Sequence, residues 1–199
     1  MLPKIIAVEG PDGVGKSTFC AALTSTLEGK ALHIKTPPGE LFHYARQAGT
    51  PGSLGAFFAF MLGNSIVSQM ESDKNWLILD RYVLSTFVYH AEAIAGSKMD
   101  FRGAMTGASC RSPYITVLLE CSLETVARRL SERDEVVRPN FLLETNQLQK
   151  SFQRAIGDAR LSSCMGHLLL MQNESETDLA TNVVRVAEIA REIDMEHRL

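Results

Sequence analysis

The sequence predicts one α/β domain, a three-layer, doubly wound fold on a five-stranded parallel sheet, and three observations support this. Five short apolar runs recur along the chain, at Ile5 to Glu9, Ala31 to Lys35, Trp76 to Asp80, Tyr114 to Glu120 and His167 to Met171. Helical stretches separate them, and strands apolar on both faces belong to a parallel sheet covered by helices on both sides. The third observation is size. A chain of 199 residues, 45 % hydrophobic and 22 % charged, can bury roughly 70 % of its unfolded surface. That is one full core, and residues 1–199 read as a single domain.

Taken in order, Ile5 to Glu9 is a buried strand, and a helix runs from about Gly15 to Leu27. After the second strand, Thr36-Pro37-Pro38-Gly39 and Thr50-Pro51-Gly52 mark turns, with helical stretches through about Met70. The third strand, WLILD, leads into a helix from about Val83 to Ala95. The fourth, YITVLLE, leads into a helix through Arg133. Another helix covers Leu142 to Arg160, and the fifth strand precedes a C-terminal amphipathic helix.

A formal charge of -3 argues against a general nucleic-acid binder, which carries a basic excess. Cys20, Cys110, Cys121 and Cys164 show no CxxC or zinc-like spacing and read as free buried thiols. The N-terminal apolar run ends at Glu9, too early for a signal peptide or anchor. The later run from Leu54 to Leu62 is about half a membrane span. The expectation is a cytoplasmic protein with no membrane and no nucleic-acid partner.

The strongest chemical signal is Gly10-Pro11-Asp12-Gly13-Val14-Gly15-Lys16-Ser17, a match to GxxxxGK[ST] placed after a strand and at the start of a helix. The glycines let the backbone curl so that successive N–H groups point at phosphate oxygens, and the helix N-terminus adds partial positive charge. Gly10 through Thr18 therefore form a candidate ATP site. Lys16 would reach the β- and γ-phosphates and Ser17 would ligate Mg²⁺. The guanine-reading NKxD string of GTPases is absent. The size suits a kinase of small molecules.

Three segments carry a family resemblance. Glu9 to Thr18, EGPDGVGKST, resembles the phosphate loop of thymidylate kinases, and Asp80 to Tyr89, DRYVLSTFVY, is similar to their DRYxxSxxAY segment. Lys35-Thr36-Pro37-Pro38-Gly39-Glu40 stands where the family has REPGGT, in degraded form. The resemblance implies a nucleoside monophosphate kinase-like fold of the P-loop class and transfer of the ATP γ-phosphoryl group to a (deoxy)nucleoside 5′-monophosphate, dTMP or a related pyrimidine deoxynucleotide. It also implies Mg²⁺ and a homodimer.

The residues support this independently. Arg81 follows the carboxyl end of a strand, where open α/β sheets bind ligands, and a guanidinium there can grip a phosphate through two parallel bonds. The competing reading of Arg81 is a structural salt bridge. The resemblance implies that Asp80 holds Mg²⁺ through water; the competing reading is a strand-end cap. By resemblance, Asp12 contacts the acceptor's 3′-hydroxyl and the metal region, and Tyr89 abuts the sugar 2′ position unless it is simple core. Lys35, Ser85 and Thr86 fall with the acceptor. Phe60 matches the phenylalanine that stacks on the acceptor base, in a helix whose other aromatics read as core. Asn64, one turn later, stands where the family has a thymine-reading arginine. An asparagine amide offers both a donor and an acceptor, so it fits either thymine or cytosine.

The segment at about 128–140 resembles the mobile lid of these kinases, and residues 122–138 carry four arginines against four acids. Positions 13 and 14 are Gly and Val, so no arginine lies in the loop; the resemblance then draws the transition-state arginine from Arg128, Arg133 or Arg138, with Arg128 and Arg133 favoured. The alternative is a solvated, salt-bridged helix face. Glu120 receives no role. An anionic acceptor needs no general base, so catalysis rests on alignment and charge cancellation. Two rival readings stand beside this one: a deoxynucleoside kinase acting on a sugar hydroxyl, and a catalytically impaired ATP-binding module.

Overall fold

The computed structural model describes residues 2–49, 52–95, 101–132, 140–158 and 164–196. Five strands, β1 (Lys4–Glu9), β2 (Ala31–Lys35), β3 (Trp76–Asp80), β4 (Ile115–Glu120) and β5 (His167–Gln172), form one parallel sheet in the order β2-β3-β1-β4-β5. Alternation along the strands sends side chains to opposite faces. Ile6, Val8, Trp76, Ile78, Val117 and Leu119 face one layer, made by α1 (Lys16–Thr26), α7 (Leu123–Ser131) and the C-terminal helix α9 (Glu176–Glu196). Ile5, Ala7, Leu77 and Leu79 face the other, made by α3 (Leu54–Ser68), α4 (Val83–Tyr89) and their neighbours. Removing each large side chain of these layers from water contributes about 1.5–3 kcal/mol.

The five strands lie where the apolar runs put them. The helices differ in detail. The expected helix from 83 to 95 breaks at His90 into α4 and the short α5 (Ala91–Ala95), with α6 (Phe101–Gly107) following. The helical stretch before β3 divides into α2 (Glu40–Gln47) and α3, the latter capped by Ser53, whose hydroxyl accepts the Ala56 N–H at 3.2 Å. α7 starts behind Ser122, which caps Thr125, and ends at Ser131. α8 spans Phe141–Gly157. Cys20, Cys121 and Cys164 are buried and in no disulfide, whereas Cys110 is only partly buried and donates to the Met61 carbonyl at 3.7 Å.

At the amino edge of the sheet, Asp194 of α9 accepts from Lys4 Nζ at 2.7 Å, Asn75 Nδ2 at 3.1 Å and Trp76 Nε1 at 3.1 Å. Burial favours the neutral acid, but these donors outweigh it and hold the carboxyl below its ordinary 3.8. An acid with a depressed folded pKa stabilises the fold fully above its unfolded value and loses that contribution as pH falls through the folded one. We expect Asp194→Ala to lower unfolding free energy in urea by about 1–3 kcal/mol at neutral pH. The gap between variant and wild type should narrow in acid, below the unfolded value near 3.8.

Candidate active site

The carboxyl ends of β1 and β3 lie side by side, with Val8 opposite Asp80. The glycine-rich loop leaves β1 there and enters α1. At Gly10, where φ is 136°, a Cβ would sit 2.4 Å from the Leu119 carbonyl oxygen, so only glycine lets the loop cross β4. Gly15, at φ 94°, begins α1, and a Cβ there would meet Asn173 Nδ2 at 2.7 Å. No side chain caps the first turn of α1, so its N–H groups are available to phosphate oxygens.

Lys16 is buried and donates to the Pro11 carbonyl at 2.5 Å. Burial, reinforced by the Arg81 charge, lowers its pKa to about 7 against the opposing pull of Asp12, Asp80 and Glu9. Ser17 Oγ donates to Asp80 Oδ2 at 2.5 Å, which brings together the two oxygen groups expected at a metal. Val14 is fully buried beneath the loop, and Thr18 is exposed beside Ser17 at the start of α1.

Arg81 adopts a left-handed backbone, φ 73°, a conformation that costs a non-glycine residue on the order of 1–3 kcal/mol. Its side chain folds back over the loop. Nη1 donates to the Gly10 carbonyl at 3.2 Å and Ser85 Oγ at 3.3 Å; Nη2 donates to Asp12 Oδ1 at 2.5 Å and Tyr89 Oη at 3.2 Å. The guanidinium also lies 4.9 Å from the Tyr89 ring centroid. Asp12 is 60 % exposed and occupies the guanidinium. Burial would raise the Asp12 pKa, but Arg81 and Lys16, with Lys35 behind them, hold it below 3.8. Lys35 ends β2 opposite Asp80 and is exposed.

Beneath this grip sits Glu9, 1 % exposed. Its carboxylate accepts the Leu84 and Ser85 N–H groups, each at 3.1 Å, and the Ser85 hydroxyl. It satisfies the first turn of α4 as a remote cap. Burial pushes its pKa up to about 6 despite these donors. Because the Ser85 proton goes to Glu9, Ser85 meets Arg81 only as an acceptor.

On the far side, Phe60 packs edge-on against Phe42 at 6.3 Å and is tilted against His90 at 5.5 Å. Asn64 and Thr86 are both buried. Asn64 Nδ2 donates to Thr86 Oγ1 at 3.0 Å, and that hydroxyl donates to the Tyr82 carbonyl at 3.3 Å. The amide is thereby oriented with its oxygen away from Thr86. His90 Nδ1 faces the Thr86 carbonyl at 2.7 Å; since a carbonyl only accepts, Nδ1 carries the proton.

Of the lid arginines, Arg133 and Arg138 lie outside the described residues, as does residue range 133–139 of the expected lid. Arg128 is exposed and pairs with Glu132 one turn along α7, at 3.0 Å. Its neighbour Arg129 reaches the loop instead. Arg129 Nη2 donates to the Asn173 carbonyl at 2.7 Å and Nη1 to the Gly13 carbonyl at 3.5 Å, while Asn173 Nδ2 donates to the Val14 carbonyl at 2.7 Å. Neither residue was expected. The helix phase was the available signal, since Arg129 follows the buried Thr125 and Val126 by four and three positions. Nothing in the sequence marks Asn173.

The glycine-rich loop with Lys16 and the Arg81 guanidinium thus converge at one edge of the sheet. A family model described as Thymidylate kinase matches residues 8–167. The chain belongs to the thymidylate kinase family. Among curated relatives of the family, a probable thymidylate kinase of Methanocorpusculum labreanum is 32 % identical over 160 residues, covering 72 % of this chain and 80 % of that one. One of Methanococcus aeolicus is 26 % identical over 176 residues, covering 84 % and 86 %. A structure of thymidylate kinase from Candida albicans shares the fold at a TM-score of 0.66 and 18 % identity, over 95 % of this chain and 92 % of that one. As a thymidylate kinase family member the chain is an ATP-dependent nucleoside monophosphate kinase.

Phosphates at the loop favour charged Lys16, so ATP binding should raise its pKa from about 7 and take up a proton. Calorimetric heats of ATP binding, measured above that pH in buffers of different ionisation enthalpy, should show uptake approaching one proton per site. Heats that do not depend on the buffer would show Lys16 already charged in the free protein.

Proposed function

We propose that the chain transfers the γ-phosphoryl group of ATP to dTMP or a related pyrimidine deoxynucleotide. The observation that carries this reading is that two cations act on Asp12, Arg81 through an ion pair at 2.5 Å and Lys16 through its charge. Two polyanions brought end to end repel, and the chemistry needs fixed cations at both ends. Lys16 and the loop N–H groups would take the donor phosphates, and Arg81, once released from Asp12, the acceptor phosphate. Tyr89 beside Arg81 suits a deoxyribose, and Phe60 offers a face to the base. The names of the relatives support dTMP as the acceptor.

The paired oxygens of Ser17 and Asp80 suit a hard divalent cation such as Mg²⁺. When bound there it would neutralise charge on the transferring phosphates. Arg128 lies on α7 at the start of the expected lid and is the transition-state arginine candidate among the described residues. The free thiols and the use of ATP fit a cytoplasmic setting, and among the described residues no helix is long and apolar enough to cross a membrane.

A homodimer is the proposed assembly. Leu54, Phe58, Leu62 and Ile66 recur every four residues on α3, and all are exposed, Phe58 at 54 % and Leu62 at 59 %. One helical stripe of this kind offers a self-complementary surface for a twofold partner. Leu62→Asp should convert a dimer into a monomer in sedimentation velocity, and a wild-type chain that sediments as a monomer would remove the proposal.

The assay is ADP release over the common nucleoside and deoxynucleoside monophosphates, with free nucleosides as controls. dTMP should lead the ranking. Lys16→Ala should abolish turnover, and Arg81→Ala should raise the acceptor KM while leaving the ATP KM near its wild-type value. Turnover on free nucleosides alone would reassign the acceptor.

A further inference from the structure

We infer that Thr36, at the turn after β2, is a positioning residue for the acceptor-phosphate grip, acting through the peptide of Arg81. The inference rests on the acceptor role proposed above for Arg81. Thr36 is 3 % exposed, and its hydroxyl donates to the Arg81 carbonyl at 2.6 Å. Its own N–H donates to the Asp80 carbonyl at 3.2 Å, so one residue holds both peptides at the end of β3.

The need for this arises from the left-handed backbone of Arg81, which an arginine does not adopt unaided. Two bonds hold it. The Arg81 N–H donates to the Val8 carbonyl of β1 at 2.9 Å, and the Arg81 carbonyl takes the Thr36 proton from β2. The first fixes the peptide before Arg81 and the second the peptide after it. With both in place the side chain turns back over Gly10 and Asp12. Without the second, the following peptide is free to rotate toward the ordinary right-handed well, and the guanidinium loses its aim.

The same turn also reaches the base side of the acceptor pocket. Pro37 lies against Gly63 of α3 so closely that a Cβ on Gly63 would sit 2.7 Å from the Pro37 Cβ and 3.0 Å from its Cγ. Gly63 precedes Asn64. Residues 36 and 37 therefore touch the phosphate grip on one side and the base-facing helix on the other, and they set the spacing between the two.

The test uses ADP-release kinetics on the full chain with dTMP. Thr36→Val keeps the shape and removes the hydroxyl, Thr36→Ala removes it with less bulk should the valine variant not fold, and Thr36→Ser restores it. The hydroxyl-free variants should raise the acceptor KM about tenfold, the scale of one buried hydrogen bond, with the ATP KM unchanged. Serine should return it to the wild-type value. In an Arg81→Ala background, removing the hydroxyl should add nothing, since the effect runs through Arg81. An unchanged acceptor KM, a matched rise in both KM values, or a full additional loss in the Arg81→Ala background would each overturn the positioning role. If the wild-type chain phosphorylates no nucleoside monophosphate, the proposed function falls first and the positioning role with it.

Discussion

The active edge depends on one constraint, the parallel register of β1 against β3. With Val8 opposite Asp80, the chain leaving β1 becomes the phosphate loop beside the chain leaving β3, which becomes Asp80-Arg81. A slip of one residue would exchange the faces of the strand that moved, since side chains alternate with period two. Asp80 would leave Ser17, and Arg81 would leave Gly10. The register is itself fixed by burial, because Ile5 and Leu77 belong to one layer while Ile6 and Ile78 belong to the other. Core packing thus specifies the distance between the phosphate loop and Arg81, and no residue at the site sets it alone.

Around that register the charges are arranged in alternation: Lys16, Asp12, Arg81 and Glu9, with Asp80 beside Ser17. Such a cluster is costly to bury unless each charge meets a partner or a backbone group. Each does: Lys16 meets the Pro11 carbonyl, Arg81 meets Gly10 and Asp12, and Glu9 meets the first turn of α4. The formal charge of -3 says nothing against two anionic substrates, because the binding groups are local.

Most of the fold was legible because the strands are apolar on both faces, and length and β-branched content distinguish such runs from helices. The break at His90 was not legible. The run from Val83 to Ala95 contains no proline or glycine, and the helix ends where His90 turns its ring to the Thr86 carbonyl. At the edge, the convergence of Lys16, Ser17, Asp80 and Arg81 was legible from the phosphate-loop motif, the strand ends and the family resemblance. Residues that support them from behind were not. Thr36 and Asn173 act through backbone carbonyls of distant segments, and contacts of that kind leave no pattern in composition or spacing. Glu9 was closer to legible, as the lone carboxylate closing an apolar strand.

The clamp on Asp194 has a practical corollary. Trp76 is the only tryptophan of the chain, wholly buried at the amino end of β3, while the nucleotide edge lies at the carboxyl end of the same strand. Its indole N–H is bonded to the last long helix. Intrinsic tryptophan emission is thus placed to report the docking of that helix, from the end of the strand opposite the phosphate loop.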